Sequence, residues 1–418
     1  MQKVTMAILG MGNRGTQYAS KQLKFPEELQ ITAMADNRRI RLDAANKWLN
    51  LPEDCLFDGA DSILDAPKLA QVMVIATQDG QHREHAIRAM EKGYDLILEK
   101  PIAASIEDIK AIVSVAEKLN KTVIICHVLR YTHFYQNVKK VIDSGVLGKI
   151  ETVHMEENVG YYHIAHSYVR GNWHKEADSS PMILAKCCHD MDLILWLTGK
   201  KCVKVNSFGS LDYFKAENCP EGATERCLDC PVENCPFNAE KFYLSRMPGW
   251  PTHILNPEPT KENILESLRT TNYGRCVYKM DNDVVDHQTV NILLEGGTTV
   301  TFQMDGFNNI QNRKIRVAGT EGELIGDFRG NTIKWQRYNE EPHIIDITTL
   351  TSEFSGHGGG DTRLIEDCIK YFRGDDFDKS AITTIGRSAE SHYLAFAAEK
   401  SRVEDGRTID FEQFVKSL

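Results

Sequence analysis

The sequence predicts an α/β protein whose first part is a doubly wound parallel sheet, because two patterns occur together there. Short, wholly apolar stretches rich in β-branched residues alternate with amphipathic helical stretches over residues 4–126. Alternation of this kind is typical of parallel strands covered by helices on both faces. A glycine-rich turn joins the first strand to the first helix with the sequence Gly10-Met-Gly12-Asn13-Arg14-Gly15. Together these patterns indicate a dinucleotide-binding domain of the Rossmann type.

The ends of the predicted strands indicate where a ligand would bind, since ligands lie at the carboxyl ends of parallel strands. The second strand, LQITAMAD, ends in Asp36, 21 residues after Gly15. An acid at this position accepts hydrogen bonds from the adenosine ribose and repels a 2′-phosphate, which predicts NAD rather than NADP. Arg38 and Arg39 follow closely and keep NADP as the less favoured alternative.

A later strand, YDLIL, ends in Glu99, Lys100 and Pro101. Charged side chains at the end of a buried strand are costly unless they are paired or used. We therefore predict that Lys100 acts on a ligand beside the cofactor and that Glu99 holds its ammonium in place.

Composition and charge exclude several classes of protein. The chain has 418 residues and a formal net charge of −10, whereas a nucleic-acid surface needs a basic field. No stretch approaches the roughly 18 apolar residues of a membrane span. The 11 cysteines are odd in number, and several lie in apolar stretches. These features predict a cytoplasmic protein with reduced thiols and without nucleic-acid or membrane partners.

Several segments resemble the Gfo/Idh/MocA family, which includes glucose-fructose oxidoreductase and inositol dehydrogenase. They are the glycine turn with Asp36, VIATQDGQHREHAIRAMEKGYDLILEKPIA, VIDSGVLGKIETVH, KIRVAGTEGELIGDF and GHGGGD. The resemblance implies a Rossmann domain over residues 1–126 and an α+β domain over residues 127–418 with a large open, mostly antiparallel sheet. It also implies a homo-oligomer, either a dimer or a tetramer. A hairpin pattern around Gly296 and Gly297 agrees with such a sheet.

Matching positions in the family imply roles for individual residues. Lys100 would lie near the nicotinamide and contact the reacting hydroxyl, where an ammonium stabilises a developing alkoxide. His189 would be the acid or base, since a neutral imidazole accepts protons near neutral pH. The predicted cofactor contacts are Gly10, Gly12, Asn13, Arg14, Gly15, Asp36, Thr77, Gln78, His82, Glu99 and Lys100.

A second polar cluster lies in PMILAKCCHDMDLILWLTG, residues 181–199. Lys186, His189 and Asp192 recur at three-residue spacing, so they would share one helical face. Asp192 would then orient the imidazole, and Lys186 would keep it neutral. Inositol dehydrogenase has an aspartate where this chain has Ala185, which leaves substrate and reaction type open. The predicted catalytic residues are Lys100, His189 and Lys186.

Other aromatic and basic residues suit a polyhydroxylated ligand, because flat rings cover C–H faces and polar groups bind hydroxyls. The predicted substrate contacts are Arg130, Tyr131, Tyr162, His163 and Asp192. If His189 is not the base, Tyr162, His163 and His166 are the alternatives.

Four cysteines follow the spacing C-x7-C-x2-C-x4-C, at Cys219, Cys227, Cys230 and Cys235. Thiolates spaced in this way could hold a structural Zn²⁺ or an Fe–S cluster, and free thiols are the alternative. The surrounding residues, 212–275, show little periodicity and are predicted to be an insertion that forms a lid or a dimer contact.

Three functions fit these features. The first is an NAD-dependent oxidoreductase that acts on a hydroxyl of a sugar, sugar derivative or cyclitol. The second is an NAD-dependent glycosidase that works by transient oxidation and elimination. The third is a non-catalytic NAD-binding sensor, which would have no need of both Lys100 and His189.

Overall fold

The computed structural model describes residues 2–418 and contains two sheets. The strands are β1 Val4–Leu9, β2 Leu29–Asp36, β3 Leu56–Asp58, β4 Val72–Ile75, β5 Asp95–Leu98, β6 Val123–Ile125, β7 Ile150–Gly160, β8 Cys202–Ser210, β9 His287–Leu294, β10 Thr299–Asn308, β11 Asn312–Gly319, β12 Gly322–Asp327, β13 Thr332–Arg337, β14 His343–Asp346 and β15 Ile409–Asp410. The helices are α1 Asn13–Ala19, α2 Arg39–Leu49, α3 Ala60–Asp65, α4 His82–Glu91, α5 Ile106–Lys118, α6 His133–Asp143, α7 Tyr161–Ile164, α8 Met182–Ala185, α9 Cys188–Thr198, α10 Ala239–Ser245, α11 Thr252–Leu255, α12 Lys261–Thr270, α13 Ser355–Gly358, α14 Gly360–Arg373, α15 Ile385–Val403 and α16 Phe411–Lys416.

The first sheet has six parallel strands in the order β3-β2-β1-β4-β5-β6. The order reverses between β1 and β4, which opens a crevice at the carboxyl edge of the sheet. Gly10 permits the tight turn there, because its φ is 95° and a Cβ would lie 2.6 Å from the Ala76 carbonyl oxygen. The predicted doubly wound sheet is confirmed.

The second sheet has nine strands in the order β14-β13-β12-β11-β7-β10-β9-β8-β15. The β7–β10 pair is parallel and the other pairs are antiparallel. The hairpin β9–β10 turns at Gly296 and Gly297, as predicted. One face of this sheet carries the larger core, against which α9 and α15 pack. The predicted large, mostly antiparallel sheet is therefore confirmed.

The C-terminal part of the chain returns to the first sheet. Leu364, Ile365 and Cys368 of α14 are buried in the core that includes β1 and β2. The Ile125 backbone N–H donates to the Thr383 carbonyl at 2.8 Å, so this return covers the outer edge of β6. The six-stranded core thus draws on residues far beyond 126, while the predicted division of the chain into two domains stays a prediction.

Residues 239–275, which we call the cap, form a small helical unit of α10, α11 and α12. Its side chains pack on a core of their own, made of Cys227, Ala239, Tyr243, Leu255, Ile264 and Leu268. Within residues 2–418 no helix is both long and apolar enough to cross a bilayer.

Candidate active site

Lys100 spans the crevice between the two sheets. It follows β5, and its Nζ donates to the Ala185 carbonyl oxygen at 2.8 Å. His82, at the start of α4, is completely buried and its Nδ1 lies 2.8 Å from the Pro101 carbonyl oxygen. This hydrogen bond braces the loop that carries Lys100. His82 therefore supports the lysine, and a direct contact with a cofactor stays a prediction.

Glu99 does not hold the Lys100 ammonium, contrary to the prediction. Its carboxylate accepts from Arg14 Nε at 2.7 Å and from the Tyr18 hydroxyl. Arg14 also pairs with Asp361 at 2.7 Å, so its guanidinium faces a buried acidic group instead of the glycine turn. Burial would raise the pKa of Glu99, but the charges of Arg14 and Lys100 hold that pKa below its ordinary value. The group stays ionised and anchors α1 to β5.

His189 lies in the first turn of α9 and is buried, with 4% of its surface exposed. Its Nδ1 atom has no hydrogen-bond partner among residues 2–418. The rings of His127 and His357 lie 5.7 and 6.1 Å from it. Burial, followed by the positive charge of Lys100, holds the pKa of His189 well below its ordinary value. The imidazole is therefore neutral at pH 7, and its Nδ1 is buried without a partner among residues 2–418.

Asp192 does not orient His189, and this part of the prediction is wrong. Both of its carboxylate oxygens accept from Arg130, at 2.6 and 2.5 Å. Asp192 and Arg130 are 1% and 5% exposed. A buried bidentate pair of this kind uses the donors and acceptors of both groups on each other. It places Arg130 and Asp192 in the wall behind His189, and their predicted contact with substrate stays a prediction.

Lys186 belongs to a buried ionic network that the sequence analysis missed. The helix breaks between α8 and α9, so Lys186 does not share a helical face with His189. Its Nζ lies 3.3 Å from Glu157 Oε1. Arg313 also pairs with Glu157, and its Nε donates to Asp190 at 2.8 Å. Burial lowers the pKa of Lys186, while the Glu157 carboxylate opposes that change.

A signal for Glu157 and Arg313 was present in the sequence. Along β7 the inward positions read Val153, Met155, Glu157 and Val159, and along β11 they read Arg313, Ile315 and Val317. A charge on the inward face of an alternating strand is costly without a partner. Two such charges of opposite sign indicate a buried pair.

Replacing Glu157 by glutamine is expected to destabilise the protein strongly, because Lys186 and Arg313 would lose a shared counter-ion in a buried site. Breaking a buried ion pair costs about 3–5 kcal/mol. The matched control is Glu323→Gln, which removes an exposed partner of Arg316 and should cost about 1 kcal/mol or less. Urea denaturation of both variants measures the difference. Equal unfolding free energies would contradict the role of Glu157.

The glycine turn leaves space for a phosphate group at Gly12. A Cβ built there would meet only Arg41 Nη1, at 3.9 Å, whereas Gly15 is packed against the Gly10 carbonyl. Asp36 closes the other side of the crevice, and its Oδ2 accepts from the Met11 backbone N–H at 2.8 Å. The residues present therefore fit a dinucleotide, with the pyrophosphate over Gly12 and the adenosine ribose beside Asp36.

We expect wild-type protein to bind NADH more tightly than NADPH, because Asp36 is buried where the ribose would lie and would repel a 2′-phosphate. Arg39, one of the two arginines that could favour NADP, is paired with Asp43 and Glu53. Arg41 lies 3.3 Å from the Asp36 carboxylate, and its positive charge opposes the preference for NADH. Isothermal titration with both cofactors tests the preference, with Asp36→Ala as the variant that should lose it. Tighter NADPH binding by wild type would contradict the expectation.

The remaining predicted residues fall into three groups. Thr77 and Gln78 lie on the loop after β4, where the Thr77 hydroxyl bonds His85 at 2.9 Å and Gln78 caps the turn that follows. Tyr131 is buried in the core of the first sheet, 1% exposed, and its predicted contact with substrate stays a prediction. Tyr162 and His163 join an aromatic cluster around Trp250 of the cap, with ring separations of 6.2 and 5.0 Å.

The predicted metal site is not assembled. Among residues 2–418 no three or more His, Cys, Asp or Glu side chains are arranged to hold a metal ion. Cys219, Cys227, Cys230 and Cys235 are free thiols. Cys227 is buried in the core of the cap, and its sulfur accepts from Arg170 Nη2 at 3.4 Å. The geometry of the described residues therefore gives no support to a metal site at these four cysteines.

The six-stranded dinucleotide domain, the second sheet and the Lys100–His189 cleft together define an NAD(P)-dependent oxidoreductase. Residues 4–127 match the oxidoreductase family with an NAD-binding Rossmann fold, Gfo/Idh/MocA, and residues 135–226 match a C-terminal domain of the same family. The chain belongs to the Gfo/Idh/MocA family.

Individual relatives are distant. YteT of Bacillus subtilis, a protein named only as an oxidoreductase, is 22% identical over 385 residues, which cover 87% of each chain. The 2,7-anhydro-N-acetylneuraminate hydratase of Mediterraneibacter gnavus is 27% identical over 199 residues, 48% of this chain and 50% of the hydratase. The crystal structure of the WlbA dehydrogenase of Bordetella pertussis, with NADH and UDP-GlcNAcA, has a TM-score of 0.71 at 18% identity. It covers 98% of this chain and 97% of that one. This likeness shows the shared fold.

Proposed function

We propose that the protein is an NAD-dependent oxidoreductase that acts on a hydroxyl of a sugar, sugar derivative or cyclitol. The observation that carries the proposal is the buried, neutral His189, whose Nδ1 has no partner among residues 2–418 and whose pKa is lowered in part by Lys100. A proton acceptor and an ammonium side by side are what the oxidation of an alcohol needs. Bound NAD⁺ would accept the hydride from the carbinol carbon.

His189 takes up the hydroxyl proton in this proposal. Its low pKa keeps it unprotonated before the reaction. Lys100 stabilises the negative charge that develops on the oxygen. Its bond to the Ala185 carbonyl holds the ammonium in place without neutralising it. The backbone of Ala185 thus orients Lys100, although its side chain carries no acid.

Lys186 acts on the reaction through charge and position. It lies in the loop between α8 and α9, three residues before His189, and is tied to β7 and β11 by Glu157 and Arg313. The network fixes the start of α9, and with it His189, against the second sheet. We propose that Lys186 contributes to the positive field of the cleft, while Glu157 keeps it charged.

A carbohydrate substrate is supported by two observations. Tyr162, His163 and Trp250 supply aromatic and polar surface beside the cleft, which suits the C–H faces and hydroxyls of a sugar. The WlbA dehydrogenase structure contains a nucleotide sugar, and the hydratase is named for an anhydro sugar acid.

The second candidate is redox-neutral cleavage of a glycoside by transient oxidation and elimination. The relative named as a hydratase supports it, because hydration is a reaction without net oxidation. Lys100 and His189 would perform the same proton transfer in both reactions. The two candidates therefore differ in the fate of the oxidised sugar, and the third, a sensor, would show no turnover.

A panel of sugars, cyclitols and aryl glycosides separates the three. Net NADH formation supports the oxidoreductase, and release of aglycone without net NADH supports the glycosidase. Binding of NADH without either signal on the whole panel would favour the sensor. Lys100→Ala protein, purified in the same way, controls for contaminating activity.

We also propose that the chain forms a homo-oligomer through its second sheet. Phe208, Ile325 and Ile344 are exposed on three strands of that sheet, at 59%, 47% and 67%. Burying them would remove apolar surface from water. Size-exclusion chromatography with light scattering tests this, and a monomer at micromolar concentration would contradict it. Cytoplasmic location stays a prediction.

A further inference from the structure

The cap reaches across from the second part of the chain to the glycine turn of the first. His253, in α11, lies with its Nε2 3.1 Å from Asn13 Oδ1. Asn13 is the residue between Gly12 and Arg14 at the start of α1. Any pyrophosphate held over Gly12 would therefore lie beneath α11.

The cap also contacts the first domain at the adenosine side. Glu258 pairs with Lys47 of α2 at 2.6 Å. Burial raises the pKa of Tyr273, and the charges of Arg41 and Arg38 oppose that rise. The Tyr273 ring stacks on His166 at 4.9 Å. The Glu258–Lys47 pair thus ties the cap to the helix that follows Asp36.

The cap is built as a unit and is not a loose loop. Its core of Tyr243, Leu255, Ile264 and Leu268 is 5% exposed or less. Arg226, just before this core, donates to the Leu268 carbonyl at 2.6 Å and ties α12 to the rest of the insertion. A unit with its own core can move as one body over the crevice or away from it.

We propose that the cap is the outer wall of the dinucleotide site, with His253 at the pyrophosphate, and that it slows release of the cofactor. This inference extends the proposed function, since it needs a bound dinucleotide but no particular substrate.

Release of NADH, followed by stopped-flow fluorescence with excess NAD⁺ as the trap, tests the proposal. His253→Ala removes one hydrogen bond of the closed cap and is expected to speed release about three- to tenfold. Glu258→Gln breaks the exposed pair with Lys47 and should speed release about twofold, without touching any part of the site. The matched controls are His154→Ala, an exposed histidine on β7, and Glu412→Gln, the exposed partner of Lys416. Both should release NADH at the wild-type rate.

Hydrogen exchange of the wild-type protein gives a second readout that needs no substitution. Saturating NADH should slow amide exchange in residues 249–275 at least as strongly as in α1. Unchanged exchange in the cap, or a release rate in His253→Ala equal to that of its control, would overturn the proposal. Neither measurement uses a carbohydrate, so failure here and failure of the proposed reaction are distinguishable.

Discussion

Replacing Lys100 by alanine is expected to lower turnover about 100-fold or more and to leave the Kd for NADH within a few-fold. The ammonium bonds the Ala185 carbonyl, whereas the glycine turn would hold the pyrophosphate, so the variant should lose stabilisation of the alkoxide and keep the phosphate cradle. Steady-state kinetics on the substrate found in the panel, together with NADH titration, separates the two effects.

The matched control for this variant is Lys68→Ala. Lys68 also donates its Nζ to a backbone carbonyl, that of Gly93 at 2.7 Å, but it does so on the surface. It should keep wild-type turnover. A Lys100→Ala enzyme that retains near wild-type kcat would remove Lys100 from the chemistry. A parallel loss of NADH affinity would instead place the lysine at the cofactor.

Much of the first domain could be predicted because its information is local. Most of the buried parallel strands are apolar runs, and several strand-to-helix turns carry a glycine or a cap, such as Ser105 at the start of α5. The glycine turn and Asp36 lie on neighbouring strands whose order follows from the chirality of the crossover connection. Lys100 follows the C-terminal end of β5, so its position at the carboxyl edge of the sheet could be predicted as well.

The second polar cluster was predicted from local spacing, and the structure gives Lys186 and Asp192 partners other than His189. Spacing of three residues suggested that Lys186, His189 and Asp192 share a helical face. Backbone geometry breaks the helix between α8 and α9, which frees Lys186 to turn towards β7. Asp192 finds Arg130, 62 residues away in sequence, and a bidentate arginine outcompetes an imidazole for a carboxylate. A local sequence pattern does not reveal partners that lie this far apart in the chain.

The cap could not be predicted from the sequence for a different reason. Its segment has no helical periodicity strong enough to predict three helices, because each is short and is stabilised by packing on the others. Its contacts with Asn13 and Lys47 join parts of the chain 240 and 211 residues apart. A lid was among the predicted roles of this insertion, but its target could be learned only from the folded chain.

Replacing His189 by asparagine is expected to lower the chemical step strongly and to abolish the acid limb of the pH–rate profile. Loss of a general base costs about 100- to 10,000-fold in rate. Asparagine keeps a hydrogen-bond donor and a similar volume, but it accepts no proton in the working range. His154→Asn, at an exposed position on β7, is the matched control and should keep both the rate and the limb.

The sign and position of that limb follow from the environment of His189. The imidazole must be neutral to accept a proton, so activity falls as pH falls through its pKa. Burial and the charges of Lys100, His127, Arg313 and His357 lower this pKa, so the limb should lie on the acid side of the ordinary value near 6.5. Asp192 is paired with Arg130, so its negative charge does not raise the pKa of His189 back towards the ordinary value. The kcat/KM profile of wild-type enzyme should therefore be flat from about pH 6.5 to pH 8.

An acid limb that persists unchanged in His189→Asn would show that another group is the base. His163, whose pKa is also lowered by burial and by Lys186, would be the next residue to replace.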